Sequence, residues 1–159
     1  MTDAELLPCE IWVDVEGRWY YRGAEIVHRD VVELFYEHLQ KDEQGRFVIH
    51  WRGQRCYIHV EDTPFVVWGI SVVEDEGEGA GIVLHLSDGK KERMDPASLW
   101  IGPGHVPYCR IRGGAFAARF SRKAYYQLVR HVEEGPQEGI FYLRIGGDRF
   151  PIADASGGA

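Results

Sequence analysis

The chain contains few cysteines, three among 159 residues. Cys9, Cys56 and Cys109 are widely spaced and form no Cys-x-x-Cys pair, so they indicate neither a zinc ribbon nor a disulfide framework. Residues 1–17 lack the basic stretch and apolar core of a secretory signal. We therefore expect free thiols, and a cytoplasmic protein.

Long apolar runs and an excess of positive charge are also missing. The longest apolar stretch, Phe65–Val73, is far shorter than the roughly 20 residues of a membrane-spanning helix. The formal net charge is −7, whereas binding to nucleic acid or to anionic lipid needs clustered lysine and arginine. We predict no nucleic acid and no membrane among the partners.

Motifs that carry chemistry are absent from the sequence as well. It has no nucleophile elbow, no P-loop and no His-Glu-x-x-His. His59-Val-Glu61 resembles half of a zinc-deaminase motif, but no Pro-Cys-x-x-Cys follows to supply the other ligands. We therefore predict no catalytic residues, no metal site and no cofactor.

The chain does have material for a core, since 45% of its residues are hydrophobic. Aromatic and β-branched runs around turn residues predict several hairpins, and the apolar run Phe65–Val73 predicts a central strand. Asp95-Pro96 favours a short helical turn. The hairpins are expected over 11–21, 47–60, 82–94, 105–120 and 141–152.

Two amphipathic helices complete the pattern. The first runs from about Asp30 to Gln40, and Ser121 caps the second. The predicted fold class is α+β, with antiparallel sheets and two helix-plus-hairpin repeats packed together. The buried helix faces are predicted to carry Val31, Leu34, Phe35, His38 and Leu39 in the first helix, and Tyr125, Leu128, Val129 and Val132 in the second.

The two helix-plus-hairpin segments align without a gap when residue 45 is placed on residue 139. Leu34 then matches Leu128, and the turn glycines Gly45 and Gly53 match Gly139 and Gly147. Convergence explains such periodicity too, but fixed glycines favour duplication. The expected organisation is a first β-hairpin/helix/β-hairpin unit at 1–62, a central β-hairpin region at 63–104, a second repeat unit at 105–152 and a disordered tail at 153–159.

The predicted pairing of residues across the hairpins gives the most specific candidate site. A two-residue turn at Arg52-Gly53 would pair Ile49 with Cys56, which makes Cys56 a buried and inert thiol. The opposite face would carry His50, Arg55, Tyr57 and His59.

A type I′ turn at Gly146-Gly147 would set Arg144 opposite Arg149. Like charges across strands cost about 0.2–1 kcal/mol, so the pair needs an acidic neighbour, solvent or a bound anion. We expect an internal carboxylate first, then solvent, then an anion. The candidate ligand-binding residues are Arg144, Arg149, Arg55 and His50.

Aromatic and acidic residues suggest a partner surface. The aromatic run Trp19, Tyr20 and Tyr21 forms either a platform for a ligand or, with alternate rings inward, part of the core, and Trp19 and Tyr21 are the candidate partner contacts. Glu61 and Asp62 either receive a basic partner or shape the turn before Pro64. His38 is either a buried acid–base group or a structural histidine at the edge of the helix stripe, and the structural role is favoured.

Several motifs resemble the bacterial domain-of-unknown-function family 1285 (DUF1285). They are Gly17-Arg-Trp-Tyr-Tyr-Arg-Gly-Ala-Glu-Ile26 with His28 and Val31-Val-Glu-Leu-Phe35, Val60-Glu-Asp-Thr-Pro-Phe65, and Gly113-Gly-Ala-Phe-Ala-Ala-Arg-Phe-Ser-Arg122 with Tyr125-Tyr126. The resemblance spans about residues 11–152, although Ala24 replaces a usual proline. It implies an α+β fold with repeated motifs and a conjectured role in signalling, with no catalytic residues to carry over.

Three functional hypotheses follow. The first is a non-catalytic binding or regulatory module that contacts a protein partner or another copy of itself. The second is a small anion or metabolite binder that uses Arg144 and Arg149. The third is an enzyme that uses His28, His59 and Glu61, for which no organising motif exists.

Overall fold

The computed structural model describes residues 6–75, 77, 79–137 and 139–154. The chain divides into two compact units, Met1–Pro64 and Phe65–Ala159. The first boundary predicted from the sequence falls two residues before this division, and the second unit includes both the central hairpin region and the second helix-plus-hairpin segment.

The first unit is a six-stranded sheet with one helix. Its strand order is β3-β2-β1-β6-β5-β4, and neighbours are antiparallel except β1 and β6, which are parallel. The elements are β1 (Leu7–Val13), β2 (Trp19–Tyr21), β3 (Ala24–Glu25), α1 (Arg29–Glu37), β4 (Leu39–Lys41), β5 (Phe47–Trp51) and β6 (Gln54–Val60).

The hairpin of β5 and β6 has the predicted register, with Ile49 opposite Cys56. Its two turn residues, Arg52 and Gly53, have φ of 51° and 80°. Positive φ at both central positions defines a type I′ turn, whose twist matches that of the flanking strands. The local turn chemistry therefore fixes this register.

The predicted buried face of α1 is wrong. Val32 and Tyr36 are 2% and 0% exposed, whereas Val31 and Leu34 are 37% and 38% exposed. The Tyr36 hydroxyl donates a 2.8 Å hydrogen bond to the carbonyl of Pro64, which satisfies its polar group inside the core. The sequence pattern of apolar residues does not include Tyr36. The predicted buried face is therefore rotated by about one residue from the observed one.

The end of α1 was also misplaced. The helix ends at Glu37, and Leu39 is a buried residue of β4. Phe35 and His38 are half-buried, so neither belongs to a fully enclosed helix face. An edge strand thus replaces the last turn of the predicted helix.

The second unit contains a seven-stranded sheet and a three-stranded sheet. Their orders are β16-β10-β11-β12-β7-β8-β9 and β13-β14-β15, and the pairs β7–β12 and β10–β16 are parallel. The elements are β7 (Phe65–Asp75), β8 (Gly79–Leu86), β9 (Lys91–Arg93), β10 (Trp100–Ile101), β11 (Pro107–Ile111), β12 (Phe116–Phe120), α2 (Arg122–Val129), β13 (Val132–Glu134), β14 (Phe141–Ile145), β15 (Asp148–Pro151) and β16 (Ala153–Asp154).

The second helix begins where the sequence predicts. The Ser121 hydroxyl accepts a 3.1 Å hydrogen bond from the amide of Ala124 and caps the helix. Leu128 is buried as expected, whereas Val129 is 37% exposed. Val132 lies beyond the helix, in β13.

The predicted strand β7 is interior in its sheet, between β12 and β8. The turn after Asp95 is also present, because the Asp95 carboxylate accepts a hydrogen bond from the amide of Ala97. At the closing hairpin only Gly146 of the two glycines has positive φ (60°), which is typical of a type II′ turn rather than the predicted type I′.

The two helix-plus-hairpin segments have the same order of elements. Helix, short strand and hairpin appear as α1, β4, β5, β6 and again as α2, β13, β14, β15. Their common origin by duplication stays a hypothesis. At the C-terminus, Ala153–Asp154 pair with β10, and residues 155–159 of the predicted disordered tail lie outside the described residues.

The fold class is α+β, as predicted, but the two large sheets are mixed rather than antiparallel. Parallel pairs join strands that are distant in sequence, so no local turn signal announces them. Among the described residues, no helix has the length and apolar character needed to cross a membrane.

The predicted state of two cysteines is wrong. Cys9 and Cys56 form a disulfide across 47 residues of sequence, and their Cα atoms are 5.1 Å apart. Cys109 is free and buried, and burial raises the pKa of its thiol to about 12. The wide spacing concealed the bond because Cys9 and Cys56 are brought together only by the parallel pairing of β1 with β6.

Adjacent valines of α1 test the corrected helix face. We expect Val32→Ala to lower the free energy of unfolding by about 2–3 kcal/mol, because it deletes buried methyl groups and leaves a cavity. Val31→Ala should cost less than about 1 kcal/mol, since the same groups are partly solvated. Both changes alter helix propensity equally, so urea denaturation isolates the difference in burial. A larger loss for Val31→Ala would contradict the assignment.

Reduction of the disulfide should destabilise the first unit. A cross-link over this loop length restricts the unfolded chain and is worth about 2–4 kcal/mol. Urea denaturation with and without a dithiol reductant measures the loss. Cys9→Ser/Cys56→Ser is the control and should show the lower stability without responding to reductant. Alkylation of the unreduced native protein should leave all three cysteines unlabelled, and rapid labelling of Cys9 or Cys56 would refute the bond.

Candidate functional site

The six-stranded sheet of the first unit carries a cleft of about 610 Å³. It lies where β2, β1 and β6 are neighbours, so residues distant in sequence meet on one face. We call it the aromatic cleft. Its lining consists of Pro8, Glu10, Ile11, Trp12, Asp14, Tyr20, Arg22, Gly23, Tyr57 and His59.

The centre of the cleft is a row of rings across three strands. Trp12 of β1 lies between Tyr20 of β2 and His59 of β6 in the strand register. The Trp12 and His59 rings stack with centroids 3.8 Å apart and an angle of 29° between their planes. Trp12 remains 42% exposed, although it is a large aromatic residue in the middle of a sheet. This pair therefore presents a solvent-accessible aromatic surface.

One wall of the cleft is formed by a bulge in β1. The pairing of β1 with β6 is interrupted between Pro8 and Trp12, and Glu10 within this interval has φ of 64°. Across from it, Arg22 has φ of 49°, and its amide donates a 3.0 Å hydrogen bond to the Glu10 carbonyl. Arg22 and Gly23, with φ of 49° and 86°, are the central residues of a type I′ turn between β2 and β3, whereas the positive φ of Glu10 belongs to the bulge.

The side chains at the bulge form an ion pair. The Arg22 guanidinium contacts one carboxylate oxygen of Glu10 through Nε at 2.9 Å and through Nη2 at 2.8 Å. The Glu10 carboxylate raises the pKa of Arg22, chiefly through this hydrogen bond. Both side chains are about half-exposed, so the pair adds little to stability and mainly orients the wall.

Asp14 and Tyr20 form the opposite wall. The Asp14 carboxylate accepts backbone hydrogen bonds from Glu16 and Arg18, both at 2.9 Å, which fixes the turn after β1. Its second oxygen accepts a 2.9 Å hydrogen bond from the Tyr20 hydroxyl. This hydrogen bond raises the pKa of Tyr20, so the phenol stays protonated and donates. The ring is thereby held in a fixed orientation at the cleft.

Sequence reasoning found only part of this site. It placed Tyr57 and His59 together on the outer face of their hairpin and included Tyr20 in the aromatic run. It did not select four other lining residues, Glu10, Trp12, Asp14 and Arg22. The parallel pairing of β1 with β6 joins strands that are distant in the sequence, so no local sequence signal predicts it. The available signal was alternation in β1, where Ile11 and Val13 are buried and Trp12 points the other way.

The predicted partner surface needs a correction. Trp19 is 1% exposed and packs edge-on against Tyr36 with ring centroids 4.9 Å apart, so it belongs to the core. Tyr21 is 46% exposed, with the Arg22 guanidinium 5.2 Å from its ring centroid. The aromatic run therefore splits between core and surface, with Trp19 buried and Tyr21 exposed. Glu61 and Asp62 are exposed after β6, and their role as partner contacts stays a prediction.

The predicted ligand-binding residues fall in both compact units. His50 and Arg55 are exposed and directly opposed on β5 and β6. Arg144 and Arg149 are opposed on β14 and β15, as predicted. The Glu133 carboxylate contacts both of these arginines, at 3.3 Å from Arg144 Nη1 and 2.7 Å from Arg149 Nε. An internal carboxylate thus bridges the pair, and an anion-binding role for the four residues stays a prediction.

His38 lies in a second cavity of the first unit, beside α1. Its ring meets that of Trp51 edge to face, with centroids 4.4 Å apart. The cavity has a volume of about 480 Å³, and its apolar wall includes Leu34 and Phe35. An aromatic packing role for His38 fits this half-buried position.

No metal site emerges from the described ranges 6–75, 77, 79–137 and 139–154. They contain no group of three or more histidine, cysteine, aspartate or glutamate residues that could hold a metal ion.

Comparison with solved structures identifies the fold. The chain is similar to a DUF1285 family protein from Silicibacter pomeroyi DSS-3, with a TM-score of 0.73 and 24% identity over 94% of this chain and 82% of that one. It is also similar to a DUF1285 family protein from Shewanella baltica OS155, with a TM-score of 0.62 and 16% identity over 77% of this chain and 91% of that one. No family model and no curated protein matches the chain. The predicted resemblance to DUF1285 is confirmed at the level of the fold.

The bridge at Glu133 should respond to salt. We expect Glu133→Gln to lower the free energy of unfolding by about 0.5–1 kcal/mol at low salt, because Arg144 and Arg149 then face each other without a counter-charge. The loss should shrink above about 0.5 M salt, since half-exposed groups are screened. Glu134→Gln removes the same charge one residue away and is the control. Equal losses for both variants would show that the bridge contributes nothing.

Proposed function

We propose that the protein is a non-catalytic binding module and that the aromatic cleft is its binding site. The observation that carries the proposal is the exposed Trp12–His59 stack at the centre of a concave surface. Binding sites are typically concave and largely apolar, with a few polar groups that orient the ligand. Glu10, Asp14 and Arg22 supply such polar groups at the rim.

The composition of the cleft supports binding rather than catalysis. Its described lining residues include no serine, cysteine, threonine or lysine, and its two carboxylates are engaged, Glu10 by Arg22 and Asp14 by Tyr20 and the turn amides. A serine and a histidine do share a short hydrogen bond elsewhere, between Ser71 Oγ and His85 Nε2 at 2.7 Å, but neither residue lines the cleft. The enzyme hypothesis that used His28, His59 and Glu61 gains no support, because His28 is exposed at the start of α1 and His59 stacks on Trp12.

A small-anion site is the second candidate function. A recess of about 240 Å³ in the second unit is lined by Arg130, His131, Val132, Glu133, Arg144 and Gly146. Glu133 can neutralise only one of the arginines that surround it, which leaves positive charge for a phosphate or carboxylate. Because Glu133 already contacts Arg144 and Arg149, these arginines have less charge available for an anion. The aromatic cleft is therefore the first candidate binding site.

A regulatory role is also part of the proposal. Regulation through a protein partner or through self-association would use the same exposed surface of the cleft.

The cellular location is open to a direct test. The sequence predicts a cytoplasmic protein, whereas the Cys9–Cys56 disulfide favours an oxidising compartment, where such bonds persist. Trapping thiols in intact cells before extraction tells the two locations apart.

A thermal-shift screen tests the proposal directly. Neutral, anionic and cationic compounds would be tested on the wild type, Trp12→Ala and Trp51→Ala. Trp51 is a matched control because it is 36% exposed on the same sheet but does not line the cleft. A ligand at 100 times its Kd stabilises by about 2.7 kcal/mol, which gives a clear rise in melting temperature.

The proposal expects compounds whose stabilisation is lost in Trp12→Ala and kept in Trp51→Ala. Stabilisation that survives in Trp12→Ala would contradict it. Anions that act independently of Trp12 and lose their effect in Arg144→Ala would promote the second candidate instead.

A further inference from the structure

We propose that the ligand of the aromatic cleft is a small organic cation with an alkylammonium head group, held against Trp12, Tyr20 and His59. This inference rests on the proposed function and adds the chemical class of the ligand. It draws on three independent features of the cleft, namely its rings, its balance of charge and its size.

The rings provide the primary attraction. Trp12, Tyr20 and His59 lie side by side on neighbouring strands, and Trp12 is exposed to the cleft. The face of an aromatic ring carries partial negative charge, and tryptophan attracts a cation most strongly. Quaternary ammonium groups are recognised in this way by clusters of aromatic residues.

The Tyr20 hydrogen bond strengthens the attraction. Its hydroxyl donates to Asp14 at 2.9 Å, which makes the ring more electron-rich, and this effect on the pKa of Tyr20 exceeds the opposite effect of a hydrogen bond with Arg18. The pKa of Tyr20 is raised by the same contact, so the donor is retained at neutral and moderately alkaline pH. A carboxylate therefore lies at the hydroxyl end of the ring that would face the cation.

The balance of charge around the cleft is negative. Arg22 is neutralised by Glu10 at 2.8 Å, and Arg18 lies 3.6 Å from Glu16. Arg18 also interacts electrostatically with Asp14, and Glu25 lies opposite Tyr20 on β3. Together, the two arginines and four carboxylates in and next to the lining carry a formal net charge of −2. An anionic ligand would be repelled, and a neutral one would gain nothing from this charge.

The volume of the cleft indicates how large the part of the ligand beyond its ammonium head group can be. A volume of about 610 Å³ exceeds that of a trimethylammonium group and falls within the usual range for small-molecule sites, about 300–1,000 Å³. Pro8 and Tyr57 extend the apolar wall along the β1–β6 joint. A cation that carries an apolar or planar extension would therefore fill the site better than the head group alone.

The test compares choline with its neutral carbon isostere, 3,3-dimethylbutan-1-ol. Binding would be measured by calorimetry and tryptophan fluorescence at constant ionic strength on the wild type, Trp12→Ala, Asp14→Asn and Trp51→Ala. Asn at position 14 keeps an oxygen for the backbone amides of the turn while it removes the charge. Circular dichroism checks that each variant folds.

We expect choline to bind the wild type at least about tenfold more tightly than the isostere, since cation–π attraction in a partly desolvated site is of that order. Trp12→Ala should abolish the binding, Asp14→Asn should weaken it several-fold, and Trp51→Ala should leave it unchanged. A peptide with a trimethyllysine side chain extends the series. Tighter binding of the peptide than of choline would support the cation site and assign its source to a protein.

Three outcomes would overturn the inference, and they are distinguishable from failure of the proposed function. Equal binding of choline and the isostere, lost in Trp12→Ala, would leave the cleft as a binding site but remove the cationic ligand. Choline binding that persists in Trp12→Ala, or no choline binding at all while neutral or anionic compounds require Trp12, would also reject the cation. Failure of every compound class at the cleft would reject both proposals.

Discussion

The parallel pairing of β1 with β6 is the joint on which the first unit depends. It is the one contact between neighbouring strands that unites the N-terminal strands β1–β3 with β4–β6 in the described sheet. The disulfide between Cys9 and Cys56 locks the same joint covalently. The bulge that interrupts it moves Glu10 out of register and leaves Trp12 beside His59. One long-range contact thus closes the core on one face of the sheet and opens the aromatic cleft on the other, so stability and the candidate function share a structural origin.

How much of the fold follows from the sequence depends on the range of the interactions. The β5–β6 hairpin was predicted in the correct register because Arg52 and Gly53 adopt the turn that their sequence favours. The start of α2 was predicted because Ser121 forms its cap through a hydrogen bond to a residue three positions away. The face of α1 was wrong because the burial of Tyr36 depends on a partner at Pro64, far along the chain. The parallel pairs and the disulfide were missed for the same reason, since nothing local to either strand specifies them.

In the candidate sites, too, the features that depend on nearby residues were predicted and those that depend on distant strands were not. The opposition of Arg144 and Arg149 follows from a two-residue turn, and the expectation of an internal carboxylate follows from the cost of the like charges. The particular residue, Glu133, comes from the neighbouring strand β13, which the sequence had not revealed as a strand. In the aromatic cleft, the residues of β6 were placed together, whereas Trp12 and the Glu10–Arg22 wall depend on the bulge. Sequence reasoning therefore identified faces of single hairpins, and the sites arise where hairpins and strands meet.

The central claim is that the aromatic cleft holds an organic cation against Trp12. The chain has five tryptophans, so the indole N–H groups give one NMR signal each in a ¹⁵N-labelled sample. The signals can be assigned from single Trp→Phe variants and followed during titration with choline chloride, with sodium chloride as the ionic-strength control. The account predicts a saturable shift of the Trp12 signal and little change at Trp19 or Trp51. A shift at Trp51 with none at Trp12, or the same shift with sodium chloride, would contradict it.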